Sequence, residues 1–359
     1  MRFLDTLFKR QLVGLDIGMS GIKAVEISQD KQPQLLAYNR IPIPWDTITL
    51  EGEVKNQAVL VDALRKLFSV GNFGTKNVAV SAFGRSIITK KISVPQMTSE
   101  ELENQLYWEA EQYIPFNINE VNLDFAILGP GSATLSKDPK MEVLLVAAKK
   151  DFIQFLQGII REAGLEPVII DSQAFALGNV FEFNYGLGAQ RAGQSTQVLI
   201  DFGAGSTKVT MIEGNKTTFS RDLQACGSRC SEIIMDKFGV SMLEAEKLKI
   251  LNSHAPEIQS VLQDYAFAMA EEVSRTIDFF VGQSIDNSVD AIYICGGGSR
   301  LFGLQEALDK RLPAPIAYLN PLKHIVGSGR KMNQGALKEL SSLGAVATGL
   351  SLRRKGDGP

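Results

Sequence analysis

Residues 13–27 read VGLDIGMSGIKAVEI, and residues 198–212 read VLIDFGAGSTKVTMI. Aligned without a gap, the two stretches share an aspartate, a glycine and a lysine at the same spacing. These are Asp16, Gly18 and Lys23 in the first copy, and Asp201, Gly203 and Lys208 in the second. In each copy an apolar strand runs into Asp-x-Gly, a turn of small residues and a second strand. The repeat therefore predicts two β-hairpins whose tips carry the same chemistry.

Each predicted tip has the features of a phosphate site. Glycine and serine leave backbone N–H groups open to phosphate oxygens, and the nearby aspartate can hold a hydrated Mg²⁺. A single Asp-x-Gly after a strand is more often an ordinary turn. A repeat that matches three residue types favours one shared site instead. We expect the two hairpins to face each other and to bind the phosphate tail of a nucleotide from both sides.

Composition is that of a folded protein rather than a membrane or nucleic-acid-binding one. The chain has 359 residues, 45% of them hydrophobic and 21% charged, with a net charge of −3. This length predicts two or three domain-sized units, and the dispersed lysines and arginines argue against a nucleic-acid surface. No stretch has the roughly 18 apolar residues of a membrane helix. Three cysteines without a C-x-x-C pair indicate reduced thiols, so we expect a cytoplasmic protein.

The first ten residues, MRFLDTLFKR, place apolar and basic side chains on opposite sides of a short helix. Such a segment could contact anionic lipid or a partner. A docked or frayed terminus is the simpler interpretation, because so short a helix is not stable by itself.

An inserted unit is predicted between the two hairpins. Residues 86–163 have the periodicity of a strand, a helix, two strands and a second helix. Thr98 and Glu101 are expected to form a capping box at the start of the first helix, and Pro115 to close its end. A unit of about 80 residues is large enough to form a subdomain.

A Gly-rich turn follows a buried-type strand at residues 291–295 and precedes a predicted helix at 301–310. The turn consists of Gly296, Gly297, Gly298 and Ser299. Its missing side chains would let a flat or anionic ligand approach the backbone near a helix N-terminus. A tight connection is the plain alternative, but beside two phosphate hairpins we expect a wall for adenosine.

Two further polar groups have both a plain and a functional interpretation. Glu246 and Lys247 lie on a predicted helix that is rich in charge pairs, and either could contact ribose or adenine. Asp171, Ser172 and Gln173 begin the helix that joins the two halves. Asp171 or Ser172 is most simply the N-cap, whereas the functional alternative is a group that orients the water attacking a γ-phosphate.

In their order along the chain, these features resemble the actin/Hsp70/sugar-kinase ATPase superfamily. The inserted unit is similar to subdomain 1C of FtsA-like proteins, the SHS2 module. The opening GLDIGMSGIKAVEI and the segment WEAEQYIPFN at residues 108–117 resemble the PilM family of type IV pilus assembly proteins more than FtsA, as does the expected lack of a C-terminal membrane-targeting helix. The resemblance implies an α/β actin-like ATPase fold with two lobes around a nucleotide cleft.

The resemblance also implies subdomains and site residues. The expected subdomains are 1A at 11–84, 166–196 and 336–352, 1C at 85–165, 2A at 197–226 and 289–335, and 2B at 227–288. The sequence also predicts one helix of small residues at 340–352. Phosphate contacts are expected from Gly18, Met19, Ser20, Lys23, Gly203, Ala204, Gly205, Ser206, Thr207 and Lys208. Mg²⁺ would be held through water by Asp16 and Asp201, and the nucleoside would be surrounded by Gly227, Lys247, Gly296, Gly297, Gly298 and Ser299. Small or hydroxyl residues are commoner at the position of Met19, so its contact is expected through the N–H.

ATP and Mg²⁺ are the ligands that the resemblance implies, and the N-terminal cytoplasmic peptide of the inner-membrane protein PilN is the implied partner. The peptide groove would lie between 1A and 1C along residues 86–116 and include Ile114, Pro115 and Phe116. We therefore expect a cytoplasmic ATP-binding adaptor or scaffold, peripheral to the inner membrane, that couples its nucleotide state to assembly. It is expected to join other pilus assembly proteins and to hydrolyse ATP weakly or not at all. Self-association stays open, and a small-molecule kinase or an FtsA-like filament protein are the alternatives.

Overall fold

The computed structural model describes residues 11–28, 30–131, 139–186, 195–251, 255–282, 288–327 and 333–354. The amphipathic segment predicted at the N-terminus lies outside the described residues.

Strands and helices are numbered here in chain order over these described residues. The elements before the inserted unit are β1 (Val13–Gly18), β2 (Gly21–Ile27), β3 (Gln34–Ile41), α1 (Gln57–Gly71) and β4 (Asn77–Ala82). The next five are β5 (Ile87–Pro95), α2 (Ser99–Glu111), β6 (Val121–Pro130), β7 (Lys140–Lys149) and α3 (Lys150–Glu162). The remaining elements are β8 (Glu166–Ser172), α4 (Gln173–Tyr185), β9 (Thr196–Phe202), β10 (Thr207–Glu213), β11 (Lys216–Leu223), α5 (Gly227–Phe238), α6 (Met242–Leu251), α7 (Pro256–Val281), β12 (Ala291–Cys295), α8 (Leu304–Arg311), β13 (Ile316–Tyr318), β14 (Val326–Gly327), α9 (Gln334–Leu343) and α10 (Ala345–Ser351).

Two mixed sheets repeat one topology, and each forms the centre of a lobe. The first has the strand order β14-β3-β2-β1-β4-β8, and the second has the order β11-β10-β9-β12-β13. In each sheet an antiparallel hairpin, β1–β2 or β9–β10, is followed by parallel pairing of its first strand with β4 or β12. The two Asp-x-Gly hairpins therefore occupy equivalent places. The predicted α/β fold with two lobes is confirmed.

The central strands read as unbroken apolar runs because both of their faces are covered. Leu15 and Ile17 of β1 are fully buried, as are Ile200 and Phe202 of β9. Such burial on both faces is typical of strands in the middle of a sheet with parallel pairing and helices on either side. This burial fixes the register of the strands, because a slip by one residue would move a charged residue of the tip into the apolar core.

Close packing of α10 between β1 and α4 holds the first lobe together. A Cβ atom added at Gly14 would overlap the carbonyl oxygen of Ala347, and one added at Gly349 would overlap the carbonyl oxygen of Ala176. Two glycines thus let a helix backbone lie directly against a strand and against another helix. The small residues of α10 are a packing requirement.

The inserted unit has the predicted order of strand, helix, strand, strand and helix. Its antiparallel sheet, β5-β7-β6, packs against α2 through a core that includes Leu102, Leu106 and Val143. The Thr98 hydroxyl accepts a hydrogen bond from the N–H of Glu101, and the Glu101 carboxylate accepts one from the N–H of Thr98, so the capping box is confirmed. The last helix, α3, packs into the first lobe instead.

Two predicted helices near the C-terminus have different limits in the structure. The helix predicted at residues 301–310 starts only at Leu304, after a short 3₁₀ turn over Gly297–Arg300. The single helix predicted at 340–352 is wrong, because the chain breaks at Gly344 into α9 and α10. The side chain of Leu340 fills the space where a Cβ of residue 344 would stand, so only glycine fits this turn.

Replacing Gly349 by alanine tests the close crossing of α10. We expect Gly349→Ala to destabilise the protein by about 1–3 kcal/mol or more, because the new methyl group must push α10 away from α4. The control is Gly158→Ala in α3, where a Cβ meets no atom within 4 Å. That change is expected to stabilise the helix by about 0.5–1 kcal/mol. Equal thermal midpoints for the Gly349 variant and the wild type would contradict the crossing.

Candidate nucleotide-binding site

The first hairpin tip carries a buried ion pair. Asp16 and Lys23 are cross-strand partners in β1 and β2, so their side chains lie on the same face. The Lys23 Nζ donates to the Asp16 Oδ2 over 2.8 Å, and Asp16 is only 4% exposed. A charged pair with so little water around it is held in one geometry. The tip therefore presents a fixed carboxylate next to a fixed ammonium.

At the second tip the equivalent lysine has a different partner. Lys208 is again the cross-strand partner of the tip aspartate, Asp201, but its Nζ forms an ion pair with Asp222 on β11. The reason lies on the third strand, where Lys208 faces Asp222 and Lys23 faces Arg40. Asp222 offers Lys208 a carboxylate on the third strand, whereas Arg40, which is paired with Glu339 over 2.9 Å, offers Lys23 none. The two tips share residues but not charge pairing.

The two tips touch each other across the cleft. Met19 in the first tip reaches Gly205 in the second, where a Cβ would stand 3.4 Å from the methionine Cβ and Sδ. The Ser228 hydroxyl donates to the same Sδ over 3.6 Å. The N–H groups of Gly227 and Ser228, at the start of α5, donate to the carbonyl oxygens of Gly203 and Ala204 over 3.0 and 2.9 Å. The predicted tips therefore do face each other, and Gly227 lies beside the second.

Electrostatic coupling links the two aspartates. The pKa of Asp201 is raised to about 6, mainly by burial and next by the charge of Asp16, while Lys23 and Lys208 oppose the shift. The buried thiol of Cys295 belongs to the same group, since burial and then the two carboxylates raise its pKa well above the usual range. Asp16 and Asp201 thus share one local field, as a two-sided site requires.

The Gly-rich turn packs directly against the second tip strand. Gly296 has φ of 81°, a left-handed conformation that favours glycine, and a Cβ there would overlap the Asp201 Oδ1. A Cβ on Gly298 would stand 2.9 Å from the carbonyl oxygen of Phe202. The buried hydroxyl of Ser299 donates to the Gly296 carbonyl over 2.7 Å and so closes the turn on itself. The structure therefore places the Gly-rich turn next to Asp201, beside the second tip.

Helix α6 presents different residues to the site than the sequence suggested. Lys247 is exposed, whereas the Lys249 Nζ donates to the Gly227 carbonyl over 2.8 Å and to the Ser231 hydroxyl over 2.7 Å. Glu246 joins this group through Lys249 and Ser231. Of the two nucleoside candidates on this helix, the structure brings Glu246 to Gly227 and leaves Lys247 outside.

The polar residues at the start of α4 have structural roles. The Ser172 hydroxyl accepts from the N–H of Ala174, so Ser172 is the N-cap of α4. Asp171 is buried, and its Oδ2 lies 3.3 Å from the Arg353 Nε. Burial is the main cause that raises the pKa of Asp171, and Arg353 opposes it. The plain interpretation is confirmed for Ser172.

The three residues predicted for the peptide groove differ in how exposed they are. Ile114 is buried in the core of the inserted unit and is therefore not available to a partner. Pro115 is exposed, and Phe116 is partly buried with the Lys149 Nζ 4.8 Å from its ring centroid. Only the last two lie at the surface.

Several residues around the tips carry no signal that the sequence analysis used. Asp222 and Ser228 stand outside the repeated motif, and Lys249 is one of two lysines on α6. The hydroxyl next to Gly227 at a helix start was the available clue for Ser228.

Among the described residues, no three His, Cys, Asp or Glu side chains form a set that could hold a metal ion alone. None of the described helices is both long and apolar enough to cross a membrane.

Duplicated sheets with an Asp-x-Gly hairpin at the centre of each lobe define a protein of the actin-like ATPase fold. A family model described as type IV pilus assembly protein PilM matches residues 14–355. The chain belongs to the PilM family of type IV pilus assembly proteins, as the sequence resemblance predicted.

Solved structures and curated proteins give the degree of similarity. A chain in the structure of a PilM-PilN type IV pilus biogenesis complex is 29% identical, with a TM-score of 0.83 over 96% of this chain and 98% of that one. The ethanolamine utilization protein EutJ of Carboxydothermus hydrogenoformans shares the fold, at 16% identity and a TM-score of 0.54 over 95% and 89% of the two chains. EutJ of Escherichia coli (strain K12) is 26% identical over 184 residues, which are 49% of this chain and 59% of EutJ. The chain thus spans about half the length of the curated relatives it matches.

The raised pKa of Asp201 predicts how stability depends on pH. The folded protein holds a proton on Asp201 up to a pH of about 6, whereas the unfolded chain releases it near 3.8, so this group makes folding less favourable as pH rises through that window. Asp201→Asn removes the penalty and should raise the thermal midpoint at pH 8 by about 2 °C.

At pH 4.5 the difference between Asp201→Asn and the wild type should shrink. The matched control is Asp264→Asn on the exposed face of α7, which should change the midpoint little at either pH value. A shift of the Asp201 variant that is the same at pH 4.5 and pH 8 would show that no proton is held there.

Proposed function

We propose that this protein is an ATP-binding adaptor of the type IV pilus inner-membrane assembly complex, in the cytoplasm and peripheral to the membrane through its partner. The observation that carries the proposal is the contact of two Asp-x-Gly tips across the cleft, with lysines behind them. Backbone N–H groups and ammonium groups that converge from two lobes match a phosphate chain, which carries negative charge along its length.

The donor set fits a Mg²⁺-nucleotide rather than a bare metal. Asp16 and Asp201 are carboxylates from different lobes, and they are too few to surround Mg²⁺, which keeps several waters and takes phosphate oxygens as ligands. In our proposal these two residues hold the ion through water. Lys23 and Lys208 balance phosphate charge, and the Gly296 turn with Glu246 and Lys249 lines the nucleoside side.

We infer that hydrolysis is slow or absent, because the carboxylate that the sequence suggested for orienting an attacking water is not accessible. Asp171, the candidate for orienting an attacking water, is buried against Arg353. Because Asp171 is only 8% exposed, a water that attacks a γ-phosphate has little access to its carboxylate. We therefore infer that ATP acts as a ligand that fastens the two lobes.

The proposed partner is the cytoplasmic N-terminal peptide of PilN. It is supported by the similarity to the chain in the PilM-PilN complex, which extends over almost the whole length of both chains. We assign the inserted unit to subdomain 1C and propose that the peptide lies between it and subdomain 1A, with the subdomain boundaries given by the sequence. Pro115 and Phe116 are the surface residues at one end of this groove.

Nucleotide binding is tested by Lys23→Met. Loss of the ammonium leaves Asp16 buried without its partner and removes one positive charge from the phosphate side, so we expect ATP affinity to fall about tenfold or more. The measurement is isothermal calorimetry with Mg²⁺ present. Lys66→Met, which changes an exposed lysine on α1, is the matched control and should bind ATP as the wild type does. Equal affinities for the two variants would contradict the assignment.

Partner binding is tested with a synthetic peptide of the PilN cytoplasmic N-terminus. We expect the wild type to bind it and Phe116→Ala to bind it several-fold more weakly, as measured by fluorescence anisotropy. Ile114→Val, a mild change in the core of the unit, is the control and should leave affinity unchanged. Wild-type protein that binds ATP but not this peptide would argue against the adaptor.

A further inference from the structure

The β10–β11 hairpin connects the second phosphate tip to the inserted unit. At one end, Lys208 of β10 and Asp222 of β11 are joined by an ion pair next to the tip. At the other end, Glu213 and Lys216 are cross-strand partners beside the turn. The two strands stay paired from Thr207 to Glu213, with one irregularity between Met211 and Ile212. The hairpin is therefore a continuous ribbon between two distant surfaces.

The turn end of this ribbon touches the inserted unit through two charged side chains. The Lys216 Nζ donates to the carbonyl oxygen of Leu128 on β6 over 3.1 Å. Lys91 on β5 lies between two carboxylates, with its Nζ 4.0 Å from the Glu213 Oε2 and 3.9 Å from the Glu142 Oε2. Glu142 belongs to the inserted unit and Glu213 to the second lobe, so Lys91 is shared between them at nearly equal distance.

The same end of the ribbon also rests on the first lobe. A Cβ on Gly178 of α4 would stand 2.5 Å from the Thr217 Oγ1 and 3.7 Å from the Ile212 Cδ1. Helix α4 joins the lobes and lies directly against the hairpin turn. When the lobes change their angle, the turn must move across the inserted unit, because packed elements slide or jump rather than deform.

We propose that the β10–β11 hairpin couples nucleotide binding at its tip to partner binding on the inserted unit, by shifting Lys91 between Glu213 and Glu142. The inference rests on the proposed function, since it concerns how its two ligands affect each other. A ligand between the tips fixes the second tip relative to the first and so fixes the turn end. With Lys91 drawn to either carboxylate, the inserted unit has two defined positions, and coupling between the ligands is reciprocal by linkage.

The test is the ratio of peptide affinities with and without Mg²⁺-ATP. For the wild type we expect these affinities of the PilN peptide to differ by at least threefold. Glu213→Gln and Lys216→Met should each bring the ratio toward one, while ATP affinity alone and peptide affinity without nucleotide change less than twofold. Glu257→Gln, an exposed glutamate on α7, is the matched control and should keep the wild-type ratio.

A charge swap separates coupling from loss of stability. The triple variant Lys91→Glu with Glu213→Lys and Glu142→Lys restores opposite charges at both positions of residue 91, so it should recover a ratio above that of Glu213→Gln. A wild-type ratio retained in both single variants would overturn the coupling route. Binding of both ligands with a wild-type ratio of one would overturn coupling alone, whereas absence of either binding would overturn the proposed function and this inference together.

Discussion

The approach of two carboxylates from different lobes is the constraint on which the rest of the structure depends. Asp16 and Asp201 share one local field, although like charges repel and burial costs each of them solvation. The fold holds them there through identical hairpins in two sheets of the same topology. Lys23 and Lys208 offset part of the repulsion. A hydrated cation between the lobes would relieve the remainder, so the feature that penalises the free cleft also favours a metal-bound phosphate chain.

Duplication of the hairpin has not made the two halves equivalent. Lys23 stays with its own aspartate because its neighbour on the third strand, Arg40, offers no carboxylate, whereas Lys208 turns to Asp222. The first tip is consequently neutral as a unit, and Asp201 in the second has no lysine bonded to it in the described structure. The two sides of the cleft therefore differ in charge. The first tip is already paired, whereas Asp201 in the second tip can still bind a cation. Met19 joins the two through an apolar contact with Gly205.

Local sequence patterns predicted the features that arise from local physics. The two hairpins, the capping box at Thr98 and the N-cap at Ser172 all follow from residues within a few positions of one another. Three features could not be predicted in this way. The partner of Lys208 depends on a third strand, and the break at Gly344 depends on where Leu340 packs. On α6, Lys247 lies about 200° around the helix from the buried Ala245, so tertiary packing turns Lys249 toward the site instead.

The close packing of α10 on β1 has a consequence for the order in which the two lobes fold. The described core of the first lobe combines Leu12 and Val25, from the beginning of the chain, with Leu340 and Leu350 from its end. The second lobe takes all five strands of its sheet from one continuous stretch, residues 196–318. During synthesis the second lobe can therefore fold first. The sheet of the first lobe is synthesised earlier, but one of its apolar faces stays uncovered until α10 is made. The lobe that contains the N-terminal hairpin can therefore complete its folding only after the second lobe has been synthesised.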